Sequence, residues 1–343
     1  MNTKPIPTEN GYPYVGVAFQ FMRDPIGNFC RIAVEYDEIM RQKFFGQWGY
    51  HIKSPDLVRE VLITKARKFR KADSDVELLA KFLGNGLLTN NNWDSHKRQR
   101  KLAQPAFHMQ RIAGYADTIV AYTTAMLDEW QDNASYDINE QMRQLTLYIV
   151  AKTLFDSDRD SMANVVHGIG TAMDTFQRYS DDNIGMPFLL PMWIPTRKNR
   201  DLKAAKQFID TTLGDLIRQR RDDGTDKGDL MSMLLMAQDD DGSGMDDQQL
   251  LDEVITLFVA GHETTSNALT WTWYLLSQHP DCMAKMQAEV RAVLDGQLPT
   301  LADLANLPYT LTVIKESMRI YPPAYALVGR IPNEDVQIGD YSI

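Results

Sequence analysis

The residues best placed by type and spacing to do chemistry lie in three short segments. Glu263 and Thr264 follow Ala260-Gly261-His262 in the middle of an otherwise apolar run over residues 250–276. An acid beside a hydroxyl can relay protons, because a hydroxyl donates and accepts in turn. Glu316 and Arg319 stand three apart, a spacing that brings them to one helix face and lets them pair. His96 and Arg100, four apart, share a helix face that could clamp an anion, while Lys97 and Lys101 share another that would form a basic patch. Taken singly, each has an ordinary alternative: a satisfied polar break in a core helix, a solvated ion pair, a solvated basic helix.

The elements that must position these residues follow from periodicity. A run apolar on all sides predicts a buried helix, here roughly 40 Å long at about 1.5 Å per residue. An unpartnered buried carboxylate is costly, and a mid-helix glycine costs about 1 kcal/mol against alanine. The point where one helix accepts both is therefore the first candidate for an active site. Asp246 and Gln249 resemble a capping box opening that helix. Upstream, Phe29, Ile32, Ala33 and Tyr36 predict a helix over 28–40. Residues 41–45 and 48–52 flank Gly46-Gln47 as a hairpin, and Ser54-Pro55 opens a helix to about Leu62. Helical patterns then dominate to about residue 222, broken near 84–92 and 185–195. Two Asp- and Gly-rich loops follow, over 221–229 and 239–247. Further helices are expected over 281–294 and 308–320, the second stopped by Pro322-Pro323, and residues 336–343 read as a strand hairpin. The expected architecture is mainly α with a small β portion.

Composition narrows the function classes. The 343 residues carry a net charge of −10, which argues against a general nucleic-acid binder. The 44% hydrophobic and 24% charged content is that of a soluble globular chain. Cys30 and Cys282 have no metal-type spacing and read as reduced thiols of a cytoplasmic protein. The N-terminus has no apolar signal-peptide core, and the run Val254 to Ala260 is too short to span a bilayer, so no membrane anchor is expected. Asp239-Asp240-Asp241-Gly242 invites a calcium-loop reading, but that register puts Ala237 and Gln248 where acidic ligands belong, so a solvated loop is expected.

The three segments, in this order, resemble the cytochromes P450, the heme-thiolate monooxygenases. Ala260-Gly-His-Glu-Thr-Thr265 is similar to the family's oxygen-activation motif, Ala/Gly-Gly-x-Asp/Glu-Thr. Glu316-x-x-Arg319 followed by Pro322-Pro323 is similar to its Glu-x-x-Arg helix, and His96-x-x-x-Arg100 to its heme-propionate helix. Arg330 resembles its second propionate arginine. The resemblance runs from about residue 10 to Ile343 and implies one cytochrome P450 domain over 1–343.

That resemblance implies heme b as cofactor, an apolar substrate such as a fatty acid or terpenoid, and insertion of one oxygen atom from O2. Thr264 would hydrogen-bond the oxygen being activated, and Glu263 would supply protons from solvent. Ala260 and Gly261 would leave room above the heme. His96, Arg100 and Arg330 would hold its propionates, and Glu316 and Arg319 would be structural. Electrons would come from a separate ferredoxin- or flavodoxin-type protein docking near Lys97, Arg98 and Lys101. Pocket segments are sought over 76–87, over 175–193 and around Leu257. The family's iron ligand is a cysteine in a late Phe-x-x-Gly-x-Arg-x-Cys-x-Gly loop. Neither Cys30 nor Cys282 stands in such a motif, so the axial cysteine is expected beyond the end of this chain. On that expectation the domain is incomplete at its C-terminus and inactive alone. The alternative is a non-catalytic helical scaffold or degenerate fragment that binds no heme.

Overall fold

The computed structural model describes residues 4–156, 159–183 and 190–343. Residues 184–189, which include much of the expected break after residue 185 and part of the pocket segment 175–193, lie outside the described residues. The early helices are α1 (Ala18–Arg23), α2 (Pro25–Glu35), α3 (Pro55–Arg59) and α4 (Asp73–Leu83). Then come α5 (Trp93–Ala103), α6 (Met109–Ala113), α7 (Ala116–Asp128), α8 (Ile138–Phe155), α9 (Arg159–Asn183) and α10 (Arg197–Asp223). The last four are α11 (Leu230–Met236), α12 (Asp247–Gln278), α13 (Pro280–Leu294) and α14 (Pro308–Ile320). The strands are short: β1 (Thr8–Glu9), β2 (Ile39–Phe44), β3 (Gln47–Ile52), β4 (Phe69–Lys71), β5 (Arg330–Pro332), β6 (Gln337–Ile338) and β7 (Tyr341–Ser342). The mainly α architecture with a small β portion is as expected.

The chain divides into two compact units. The first comprises Met1–Phe82, Phe176–Asp201 and Val328–Ile343. In it β1 pairs parallel with β2, and β2 pairs antiparallel with β3 in the register Ile39↔Ile52. The hairpin loop is Phe45-Gly46, one residue earlier than expected. A two-residue turn of this type needs positive φ at both positions, and Phe45 (44°) and Gly46 (84°) supply it. The helix expected over 28–40 ends at Glu35 with Tyr36 extended, because residues from Ile39 onward are taken into the sheet. β4 pairs with β5, and β6 with β7. The core of this unit joins Ile39, Leu57, Val61 and Phe69 to Val336, Ile338 and Tyr341 from the C-terminal hairpin.

The second unit comprises Leu83–Thr175 and Leu202–Leu327 and is built around α12. The side chain of Asp246 accepts from Gln249 N at 2.8 Å, so the expected cap opens this helix. α12 packs along α8, with Phe258 stacked on Phe155 at 6.0 Å between ring centroids. α11, α13 and α14 also pack on it. A buried ion pair, Arg220 to Asp229, ties α10 to the start of α11; Arg220 also donates to Ser232 Oγ and the Phe155 carbonyl. α13 and α14 lie where proline at the first turn predicts them.

Candidate active site

α12 changes character midway along its length. Leu250, Val254, Ile255 and Phe258 are buried, but Ala260, Gly261, Thr264 and Thr265 are exposed and Glu263 is half-buried. The expectation of a buried polar break is corrected on both counts. The helix runs without interruption from Asp247 to Gln278, and the acid–hydroxyl pair stands at a window on its surface. Ala260, Gly261 and Thr264 fall together at helical spacing, so the uncovered stretch is one patch of small side chains. Thr264 Oγ1 donates to the Ala260 carbonyl at 2.8 Å, and Ser266 Oγ donates to the Glu263 carbonyl at 2.9 Å. Such back-bonds satisfy a hydroxyl inside a helix while loosening the ladder. A Cβ at Gly261 would come 3.2 Å from Val150 Cγ2, so this glycine also admits α8 to the helix.

The residue between these points faces inward. His262 is 2% exposed and borders a cavity of about 130 Å³ between α8 and α9, with Arg143, Tyr148 and His167 on its walls. Burial, then the nearby Arg143 guanidinium, push its pKa down to about 4. The imidazole is therefore neutral at ordinary pH.

α5 carries the second candidate segment. Asn92 caps it, accepting from Ser95 N at 2.9 Å. His96 is half-buried and Arg100 exposed, and the intervening Gln99 is buried. The basic patch is not open, as its residue types suggested. Lys101 bridges Asp239 (2.9 Å) and Asp240 (2.6 Å), and Arg98 reaches Asp239 (3.3 Å) and donates to Ser243 Oγ (2.8 Å). Those hydrogen bonds raise the Lys101 pKa, and the Lys101 ammonium lowers that of Asp239. Lys97 remains exposed. The Asp-rich loop read as solvated is thus an ion-pairing partner of α5.

On α14, Arg319 donates to both Glu316 oxygens at 2.7 Å, a bidentate pair on an exposed face. Arg319 holds the Glu316 carboxyl below its ordinary range. Arg330, exposed, lies in β5 of the first unit and donates to the Val328 carbonyl at 2.5 Å. Cys30 is exposed on α2, and Cys282 is half-buried on α13. Among the described residues no group of three or more His, Cys, Asp or Glu is placed to hold a metal ion. Among them, too, no helix is long and apolar enough to cross a membrane.

One feature near the site had no local signal. Asp252 and Glu253 are buried in the first half of α12, and both accept from main-chain N–H groups of the loop after α4. The partners lie more than a hundred and sixty residues away in sequence, so only the presence of two acids in an apolar run could have drawn attention to them.

Comparison with known proteins gives the family. The sequence matches the family description cytochrome P450 over residues 6–343. It is 35% identical over 332 residues to cyclooctatin synthase of Streptomyces melanosporofaciens, covering 96% of this chain and 71% of that protein. It is 31% identical over 334 residues to cyclooctat-9-en-7-ol 5-monooxygenase of the same organism, with 96% and 71% covered. To pentalenene oxygenase of Streptomyces avermitilis it is 32% identical over 326 residues, with 95% and 71% covered. With a family match across nearly the whole chain and these relatives on either side of one-third identity, the chain belongs to the cytochrome P450 family.

Proposed function

We propose that this chain carries the oxygen-facing and propionate-holding parts of a heme b monooxygenase site that inserts one atom of O2 into an apolar, terpenoid-type substrate. The observation that carries the reading is the window on α12, where Ala260, Gly261 and Thr264 are uncovered midway along a helix whose preceding turns are buried. Small side chains let a flat, bulky group approach the helix, and a hydroxyl sits at that point. On α5 of the same unit, His96 and Arg100 suit the anionic propionates. These residues fit the group on those two sides. Cys30 and Cys282 stand outside any axial-ligand motif, and neither is assigned to the iron.

Heme, when bound, supplies oxygen activation and oxidising power; the chain binds, orients and delivers protons. Thr264 Oγ1, which donates to the Ala260 carbonyl, keeps acceptor capacity and can turn to donate into the window. Glu263, half-buried beside it, passes protons from the solvent side. His96 and Arg100 would hold the propionates; the same role for Arg330, which lies in the first unit, rests on the family resemblance alone. Glu316 and Arg319 act structurally, each fixing the other's orientation on α14.

The substrate class rests on the relatives. One is named for a hydrocarbon, pentalenene, and another for an alcohol, cyclooctat-9-en-7-ol. The chain's own candidates, residues around Leu257 and over 76–87, are rich in aliphatic side chains and suit such a ligand. Electrons would come from a ferredoxin- or flavodoxin-type protein with an acidic face that meets Lys97 and competes with Asp239 and Asp240 for Arg98 and Lys101. The test is turnover of the heme-loaded full-length protein with an electron-donor pair and a panel of cyclic terpenes and fatty acids. A mono-oxygenated terpene product is expected. Oxygenation of fatty acids alone would overturn the substrate class, and no oxygenation of any of them would overturn the activity.

A further inference from the structure

Between α4 and α5 the chain crosses the buried half of α12, and it does so under unusual constraint. Asn85 N donates to Asp252 Oδ2 at 2.7 Å, and Leu87 N donates to Glu253 Oε2 at 2.9 Å. Glu253 is 0% exposed. The approach is as close as a backbone permits. A Cβ on Gly84, whose φ is +69°, would lie 2.1 Å from Asp252 Oδ1. One on Gly86 would lie 2.3 Å from Thr256 Oγ1 and 2.7 Å from the Asp252 carbonyl oxygen. Glycine at both positions is therefore a condition of the contact.

The loop is bonded onward to α5. Gln99, buried on that helix, donates from Nε2 to the Asn85 carbonyl at 3.1 Å and accepts from Asn90 Nδ2 at 2.7 Å. Asn90 Nδ2 also donates to Ser95 Oγ at 2.8 Å, and Thr89 Oγ1 donates to the Gly84 carbonyl at 2.7 Å. A continuous set of hydrogen bonds thus runs from the Glu253 and Asp252 carboxyls, through one loop, to the inner face of α5. His96, half-buried, lies three residues before Gln99 on that helix, and Arg100, exposed, follows it directly.

We infer that Glu253 is a positioning residue: its bond to Leu87 N–H, supported by Asp252 and Gln99, sets the register of α5 against α12. The consequence for heme rests on the reading of His96 and Arg100 as propionate-holding residues; the register itself does not. A carboxyl accepting a main-chain N–H in a dry setting is worth more than the same bond at a surface, and its loss leaves a buried donor unsatisfied. The clamp joins the helix that carries Thr264 to the helix that carries His96 and Arg100. Glu253 lies two to three turns before Ala260 and Thr264 on α12, and its bond to Leu87 N, like that of Gln99 to the Asn85 carbonyl, is to the loop, so both act through the loop.

The test compares Glu253→Ala, which deletes the acceptor, with Glu253→Gln, which keeps an oxygen at the same reach. Amide hydrogen exchange of the heme-loaded full-length protein is the first readout. In Glu253→Ala, protection at Leu87 and along 96–103 is expected to fall at least about tenfold, with α13 and α14 unchanged. Glu253→Gln is expected to stay close to the parent protein. The second readout is transfer of heme to apomyoglobin, expected to quicken in Glu253→Ala and not in Glu253→Gln. Uniform loss of protection, unchanged protection over 96–103, or equal behaviour of the two variants would overturn the inference. Should Glu253→Ala fail to fold, Gly86→Ala, which forces the loop off α12 with both acids intact, must reproduce the local loss of protection. The double variant His96→Ala/Arg100→Ala separates the two readings. If it releases heme no faster while Glu253→Ala still loosens α5, the propionate assignment fails and the positioning role stands.

Discussion

Thr264 Oγ1 donates a 2.8 Å hydrogen bond to the carbonyl of Ala260, one turn earlier on the same helix and at the same exposed window. The hydroxyl that the family motif singles out is thus held by its own backbone and, among the described residues, by no distant side chain that its removal would strand. Thr264→Ala is therefore expected to leave thermal stability within about 0.5 kcal/mol of the parent, the range of exposed substitutions away from packing and caps. Equilibrium denaturation measures this, and a loss of several kcal/mol would mean that the hydroxyl is a fold-stabilising group first.

His262, next to the pair but facing inward, predicts a pH dependence. Its folded pKa is about 4 against an ordinary 6.5, because of burial and then the Arg143 charge; a hydrogen bond with the Arg143 main chain and then Asp174 act the other way, and Glu140 and His167 also border the cavity. Between those values the unfolded chain binds the extra proton, so stability falls as pH drops from 6.5 towards 4 and levels off below. Over pH 7 to 4.5 the contribution is about 2 kcal/mol. His262→Gln should shrink the acid-induced loss by about that amount. Urea denaturation at the two pH values checks it, and identical losses in both proteins would contradict the assigned cause.

Much of this was legible from residue order alone, and the division has a physical basis. α14 begins and ends where Pro308 and Pro322-Pro323 say it must, and Asp246 caps α12 through Gln249 N, because those signals act within one helical turn. The same holds for the Glu316–Arg319 pair, which needs only helical spacing. What could not be read depends on partners far along the chain. The acids that tie down Arg98 and Lys101 lie more than 130 residues away, and the amides that meet Asp252 and Glu253 lie further still. The exposure of Ala260, Gly261 and Thr264 reverses the expected burial because neighbouring helices cover α12 unevenly, a property of packing that hydrophobic periodicity averages away.

The buried Arg220–Asp229 pair gives a stability prediction. Removing one member leaves a buried charge, so Arg220→Ala is expected to cost about 3–5 kcal/mol. Replacing both, as Arg220→Met/Asp229→Leu, should recover most of that loss. A residue of about 1 kcal/mol should remain, because Asp229 also caps α11 by accepting from Ser232 N. Denaturant unfolding of the single and double variants decides the matter, and a double variant no better than Arg220→Ala would contradict it.

The ion pairs between α5 and the Asp-rich loop predict an electron-transfer effect. Asp239→Asn/Asp240→Asn frees Lys101 and Arg98 and should speed reduction by an acidic donor protein, with a steeper dependence on ionic strength. Lys97→Glu should slow it. Stopped-flow reduction across a salt series measures both; rates unaffected by either change would place the docking surface elsewhere.

The central claim is that the window at Ala260, Gly261 and Thr264 is where oxygen is activated and protonated. The most direct measurement is the fraction of consumed reducing equivalents recovered as oxygenated product in the heme-loaded full-length protein, for the parent, Thr264→Ala and Thr264→Ser. Thr264→Ala should divert most electrons to hydrogen peroxide and water while heme content and fold remain intact, and Thr264→Ser, which keeps the hydroxyl, should restore most of the coupling. Undiminished coupling in Thr264→Ala, with product formed at the parent rate, would contradict the account.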